Sequence, residues 1–271
     1  MDERQLYKRI KAATVAFASM VQSGKTPFTI IGSGFCVDPS GIVVTCEHVL
    51  SAFMSKTIHE QIAELPPNVH GDKIRKTRPF SVLHPFVLFY QTEESKQQLF
   101  VAASGVDITI ALTDYDVAVV RVPAHPRFAN GYPAIEIEDY ESIQEGDEIG
   151  TCGFPLGNYL YNQLGTVTSS FTKGIISSII PAPGSRKDLL KGFQLNLTAT
   201  FGSSGGPVFS LTTGKVLGIL QRGVVDANEQ IIQGLVKAEP VYPIFRNDLI
   251  KRIKEGKLGQ TNTLQVMLTE E

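Results

Sequence analysis

Short β-prone runs, each closed by glycine, proline or a polar turn, recur along most of this chain, and they restrict its folds more than any other feature. Thr14 to Val21, Phe28 to Val37, Ile42 to Thr45, Phe86 to Tyr90, Leu99 to Ala103, Ile108 to Leu112 and Val117 to Val122 read as strands. A second set runs Glu148 to Cys152, Leu164 to Ser170, Gly174 to Ile180, Phe193 to Leu197, Val208 to Ser210, Val216 to Leu220 and Gly234 to Val236. Runs of this length with such punctuation predict a sandwich or barrel and not βαβ units. The fold class is therefore all-β, with two lobes.

Helical patterns stand only at the margins. Residues 2–11 read as a short polar helix, and 243–256 carry helical spacing through Leu249, Ile250 and Ile253. Residues 51–78 are charged and contain Pro66-Pro67, so they read as an inserted helix and loop. Pro123-Ala124-His125-Pro126 and Asn130-Gly131-Tyr132-Pro133 mark a connector over 123–140. The expected organisation is one domain over 1–256, with lobes over about 12–122 and 141–238, and a tail over 257–271.

Composition narrows the function classes. A formal net charge of −2 provides no basic field, so nucleic acid is not an expected partner. No apolar run is long enough for a bilayer, and the charged start Met1-Asp2-Glu3-Arg4 fails as a signal peptide, so a cytoplasmic protein is expected. Three cysteines, Cys36, Cys46 and Cys152, without a CxxC spacing argue against a disulfide framework and a zinc site. No metal and no organic cofactor is expected. The polar N-terminal helix and the 51–78 insertion are the places for contacts between like subunits in a homo-oligomer, or else solvated surface.

The chemistry concentrates at Phe201-Gly202-Ser203-Ser204-Gly205-Gly206-Pro207. Glycines let backbone amides turn inward beside a serine hydroxyl, which suits attack on a carbonyl with the amides holding the oxyanion. A polar surface turn is the plain alternative. A base and an orienting acid decide between them. His48 directly follows a strand, and Asp116 enters the apolar run Val117 to Val120, where an unpaired carboxylate is costly. The chain order His48, Asp116, Ser204 is that of the all-β triad architecture. Gly202 to Gly206 also satisfies G-x-S-x-G, but no histidine follows His125, which excludes the α/β-hydrolase order. The Asp-His-Ser order would need Asp38, a turn residue in a hairpin.

In these blocks the chain resembles chymotrypsin-fold (trypsin-like) serine proteases, most closely the HtrA/Deg group. The matching residues are Gly32-Ser33-Gly34-Phe35 with Asp38 and Gly41, Thr45 with His48-Val49, and Asp116 with Ala118-Val119. Further on come Gly146-Asp147 with Gly153-Phe154-Pro155 and Gly157, Val167 with Gly174-Ile175-Ile176-Ser177, and Gly202 with Ser204-Gly205-Gly206-Pro207 and Gly218-Ile219. The resemblance implies a two-barrel chymotrypsin-like fold with the site between the barrels. By it Ser204 is the nucleophile, His48 the base and then acid, and Asp116 the group that fixes the imidazole tautomer. It further implies an oxyanion hole within Gly202, Ser203 and Ser204. Leu220, Gln221, Arg222 and Gly223 would pair with an extended polypeptide substrate, and Thr198 would lie near the base of the P1 pocket.

Three departures stand beside the resemblance. Ser203 replaces the asparagine usual in the group, Glu47 flanks His48, and Asp116 lies 68 positions after His48 because of the insertion. With no acid near Thr198, a small or apolar P1 residue is expected. A PDZ domain is not expected within the residues after 256. The expected function is serine endopeptidase. The alternative is a catalytically silent or switchable protein of the same fold that binds peptides or acts as a scaffold.

Overall fold

The computed structural model describes residues 2–20, 28–52, 85–92, 98–103, 107–112, 115–138, 143–157, 168–181, 190–225, 231–245 and 248–255. The 51–78 insertion beyond residue 52 and the 257–271 tail lie outside the described residues, as does the expected strand from Leu164 up to Val167.

Seven strands build the first half: β1 (Thr14–Met20), β2 (Phe28–Asp38), β3 (Ile42–Thr45), β4 (Pro85–Thr92), β5 (Gln98–Ala103), β6 (Asp107–Leu112) and β7 (Val117–Arg121). They form one sheet in the order β5-β4-β1-β2-β3-β7-β6. β3 is fully buried along its length, because it sits centrally between β2 and β7 and pairs Val43 with Val120 and Thr45 with Ala118. That position explains its unbroken apolar run, Ile42-Val43-Val44.

The second half is β8 (Glu148–Gly153), β9 (Ser170–Pro181), β10 (Leu190–Asn196), β11 (Pro207–Ser210), β12 (Val216–Val225) and β13 (Ile231–Pro240). These close into a barrel in the order β10-β13-β12-β11-β8-β9. β12 and β13 extend well past the runs legible in the sequence, since Gln221-Arg222-Gly223 interrupts the apolar pattern while the backbone ladder continues to Val225↔Ile231. Buried phenylalanines anchor both halves, Phe17, Phe35 and Phe89 in the first and Phe193 and Phe209 in the second, while Phe154 packs across on Ala16, Ala18, Ile30 and Leu88 of the first. Each phenylalanine contributes roughly 1.5–3 kcal/mol by leaving water.

The terminal helices cross between the halves. Helix α1 (Glu3–Ala13) is capped by Asp2, whose carboxylate accepts from the Arg4 amide, and it buries Leu6, Ile10 and Ala13. Residues flanking this stripe reach the barrel: the Tyr7 ring stacks on Phe171 at 4.5 Å, and the Arg9 guanidinium donates to the Gly214 carbonyl at 2.6 Å. At the far end the expected single helix is two short ones, α3 (Tyr242–Phe245) and α4 (Leu249–Lys254). Asp248 lies between them in the left-handed region, φ +54°, which ends helical propagation there. Lys254 pairs with Asp38 of β2 at 2.8 Å, so the C-terminal helix returns to the first half.

Candidate active site

His48 sits in the first turn of helix α2 (Glu47–Ser51), immediately after β3. Val49 and Leu50 are buried beneath it, while the imidazole is half exposed. Asp116 occupies the turn entering β7, the neighbour of β3, so adjacent strand ends bring the two together. Asp116 Oδ2 lies 2.8 Å and Oδ1 2.9 Å from His48 Nδ1, and Oδ1 also accepts the His48 backbone N–H at 3.0 Å. Asp116 holds φ at +52°, a strained value for a residue with a side chain and one that clusters at functional sites. One residue earlier, the Tyr115 carbonyl accepts from the buried Gln221 Nε2 at 2.6 Å, so β12 props the turn from the barrel side.

Ser204 is half buried in the loop between β10 and β11. This loop is pinned by its carbonyls. That of Phe201 accepts from Leu156 N at 2.8 Å and that of Gly202 from the Ser33 hydroxyl at 2.6 Å. The Ser203 carbonyl accepts from Gly206 N at 3.0 Å and the Ser204 carbonyl from Ser33 N at 2.8 Å. Ser203 N donates to Thr200 O at 3.0 Å, and with Gly202 at φ +93° residues 200–203 form a type II turn. A Cβ on Gly202 would lie 2.4 Å from the Phe154 carbonyl oxygen, so only glycine fits. The amides of Gly202 and Ser204 donate to no acceptor among the described residues. In a trans peptide the N–H points opposite the carbonyl, so fixing the Phe201 carbonyl on Leu156 also fixes the direction of the Gly202 N–H.

One carbonyl links this loop to the histidine strand. Leu220 O accepts both Gly205 N at 2.7 Å and the Cys46 thiol at 3.4 Å, and Cys46 lies two residues before His48. Cys46, His48 and Asp116 present a thiol, an imidazole and a carboxylate with donor atoms within 4.8 Å of one another, the set closest to a metal site among the described residues. Burial, and then the Asp116 charge, push the Cys46 thiol well above the usual range. It therefore stays protonated and is a poor ligand at neutral pH.

The residues expected to meet substrate are dispersed along the loop and β12. Thr198 is exposed in the segment after β10. Leu220 and Gln221 are buried, and Gln221 directs its side chain to Tyr115. Arg222 and Gly223 continue β12 against β13, whereas β11 pairs with β12 only as far as Ile219. Sequence reasoning missed the roles of Ser33, Leu156 and the Gln221 side chain. Ser33 carried a signal: a lone hydroxyl in the buried stretch Gly32 to Val37 needs partners. Leu156, φ +51°, and Phe201 are large apolar side chains left 46% and 80% exposed beside the serine loop.

Among the described residues no helix is long and apolar enough to cross a membrane. Comparison with known proteins brings these observations together. The chain is 27% identical to the human (Homo sapiens) peroxisomal leader peptide-processing protease over 213 residues, 79% of this chain and 28% of the relative. The mouse (Mus musculus) protein of the same name is 26% identical over the same shares. The chain thus spans about 28% of the length of the curated relatives it matches. The crystal structure of Deg5 superposes with a TM-score of 0.58 at 17% identity, covering 91% of this chain and 93% of that one, which establishes the chymotrypsin-like two-barrel fold. The family model for the trypsin-like peptidase domain matches residues 32–219, and the chain belongs to that family.

Proposed function

We propose that this chain is a serine endopeptidase in which Ser204, His48 and Asp116 cleave peptide bonds through an acyl-enzyme. The observation that carries the reading is the double grip of Asp116 on His48 beside a serine loop whose Gly202 and Ser204 amides donate to no acceptor among the described residues. Ser204 Oγ attacks the scissile carbonyl while His48 Nε2 takes its proton. Asp116 holds the Nδ1–H tautomer and stabilises the imidazolium that forms. The Gly202 and Ser204 amides receive the oxyanion, and His48 returns the proton to the leaving amine. Water then repeats the sequence to release the acyl group.

Substrate recognition follows from β12. Beyond Ile219 its edge is no longer covered by β11, so the backbone at Gln221–Gly223 accepts an extended peptide as an added strand. A small or apolar P1 residue suits the stretch around Thr198, which carries no acid from Leu190 to Ser210 in the sequence. Leu156 and Phe201, joined by the bond from Leu156 N to the Phe201 carbonyl, leave apolar surface exposed at the serine loop, and that surface is offered to the residues after the scissile bond. The relatives are named for leader-peptide processing in peroxisomes, so N-terminal leader segments are the first natural substrates to test, and a peroxisomal location competes with the cytoplasmic expectation.

Intact-mass analysis after fluorophosphonate treatment tests the reading. A single adduct on the wild type and none on Ser204→Ala is the expected result. A folded wild type that takes no adduct overturns it in favour of a silent peptide-binding protein.

A further inference from the structure

We infer that Ser33 is a positioning residue: its hydroxyl, supplied from the first half, latches the serine loop into the shape that leaves the Gly202 and Ser204 amides free. The proposal rests on the acyl-transfer reading above only for its kinetic consequence. The latch itself is a matter of hydrogen bonds.

Four consecutive carbonyls, Phe201 to Ser204, each accept a hydrogen bond. Their donors are Leu156 N, Ser33 Oγ, Gly206 N and Ser33 N. Ser33 supplies two of these donors, and its hydroxyl is the one side chain in the set. That hydroxyl has a single proton, committed to Gly202 O at 2.6 Å, and its oxygen accepts from Phe154 N at 2.9 Å. The direction of both bonds is therefore fixed. The Ser33 carbonyl is held in turn by Thr45 Oγ1 at 2.7 Å, and Ser33 is fully buried.

The peptide between Gly202 and Ser203 is thus pinned at both ends, its carbonyl by Ser33 and its N–H by Thr200. Glycine makes this peptide easy to rotate, because Gly202 has no Cβ to resist another backbone conformation. Rotation would carry the Gly202 carbonyl away from Ser33 and displace the amides on either side from the oxyanion position. Without the hydroxyl, the hydrogen bond left on that peptide is the one from Ser203 N to Thr200 O, and Gly202 O and Phe154 N lose a buried partner together. Ser33 touches no reacting atom. It acts through the loop.

The test compares wild type with Ser33→Ala, Ser33→Cys and Thr45→Val. Ser33→Cys keeps a donor at the same position, adds a little volume and weakens both bonds. Thr45→Val removes a buried hydrogen bond from the same residue and meets the loop only at Gly205, leaving the bonds of the Gly202 carbonyl in place. The readouts are the fluorophosphonate inactivation rate at saturation, the half-saturating concentration, and hydrogen exchange of residues 200–206 against 216–225. Ser33→Ala is expected to lose about ten- to a hundredfold in the saturating rate, with half-saturation shifted less than about threefold. Ser33→Cys is expected to fall between, and Thr45→Val to stay within about threefold of wild type. Exchange is expected to rise in 200–206 and not in 216–225 for the Ser33 variants alone.

An unchanged rate and exchange in folded Ser33→Cys, or an equal loss in Thr45→Val, overturns the latch. If the wild type takes no adduct, the peptidase reading falls and exchange alone decides. A selective rise in 200–206 then supports the latch, and its absence overturns it.

Discussion

Asp116 holds His48 by two different groups, accepting the ring at Nδ1 from 2.8 Å and the backbone N–H from 3.0 Å. The backbone bond fixes where the histidine begins and the ring bond fixes how it points, so the imidazole is oriented without packing on its exposed face. Asp116→Asn keeps the shape but can present an amide N–H to Nδ1, which favours the wrong tautomer. A loss of about 10⁴-fold in the fluorophosphonate rate near neutral pH is expected, with the unfolding midpoint little changed. A folded variant within tenfold of wild type would remove Asp116 from the triad.

Gly205 stands at φ +88°, and a Cβ there would lie 2.0 Å from the Ser33 carbonyl oxygen and 2.5 Å from Thr45 Oγ1. Gly205→Ala must therefore break the contact between serine loop and β2. At least about 2 kcal/mol of lost stability is expected in urea unfolding, together with loss of the Ser204 adduct. Retained stability and labelling would mean that the loop is not seated on β2 in solution.

All three thiols are free and buried, and burial pushes Cys36 up to about 12 and Cys152 to about 11. Native protein at pH 8 is expected to resist a disulfide exchange reagent and to release three thiols only on denaturation. The folded state binds these protons more tightly than the unfolded chain does. Stability is therefore fully present below about pH 9 and declines as pH rises toward 12, which alkaline unfolding curves at several pH values will measure.

The Asp38 carboxyl is pushed up by burial, but the Lys254 ammonium and Ser40 outweigh this and hold it below the ordinary carboxylate range. A depressed folded value means that the contribution is present above the unfolded pKa and lost as pH falls through the folded one. Lys254→Met is expected to cost roughly 0.5–1 kcal/mol near neutral pH, because the lysine is partly exposed. The gap to wild type should close in acid. Equal costs at pH 7 and pH 3 in thermal melts would show that the pair carries no pH-dependent stability.

Phe201 leaves most of its ring in water at the candidate nucleophile loop, which its backbone carbonyl helps to fix through Leu156. Phe201→Ser spares that bond and is expected to lower cleavage of peptides with an apolar residue after the scissile bond by about fivefold or more. Peptides with a charged residue there should be cleaved as before. An equal effect on both sets would remove Phe201 from substrate selection.

Much of this architecture was legible along the chain. The strands around Ile42–Thr45 and Val117–Val120 carry an unbroken apolar run, and such a run marks a central strand wherever it falls. The loop at 201–207 was legible for a different reason, since adjacent glycines before a proline impose a backbone that few other residues allow. The length of β12 was not legible, because Gln221-Arg222-Gly223 interrupts the apolar pattern while the ladder to β13 resumes past an irregularity at Gln221 and runs on to Val225↔Ile231. Nor was the break at Asp248, where a residue with a side chain adopts a glycine-like backbone.

The sequence by itself determined the all-β plan, the candidate nucleophile loop and the order of histidine, aspartate and serine, because periodicity, glycine placement and chain order are local or linear properties. Tertiary structure alone decided which bonds hold them. Ser33 and Gly202 are 169 positions apart and Gln221 and Tyr115 106, and both pairs join different halves of the molecule. A hydroxyl or an amide side chain carries no mark of its partner until the two halves pack and burial obliges each polar group to find one.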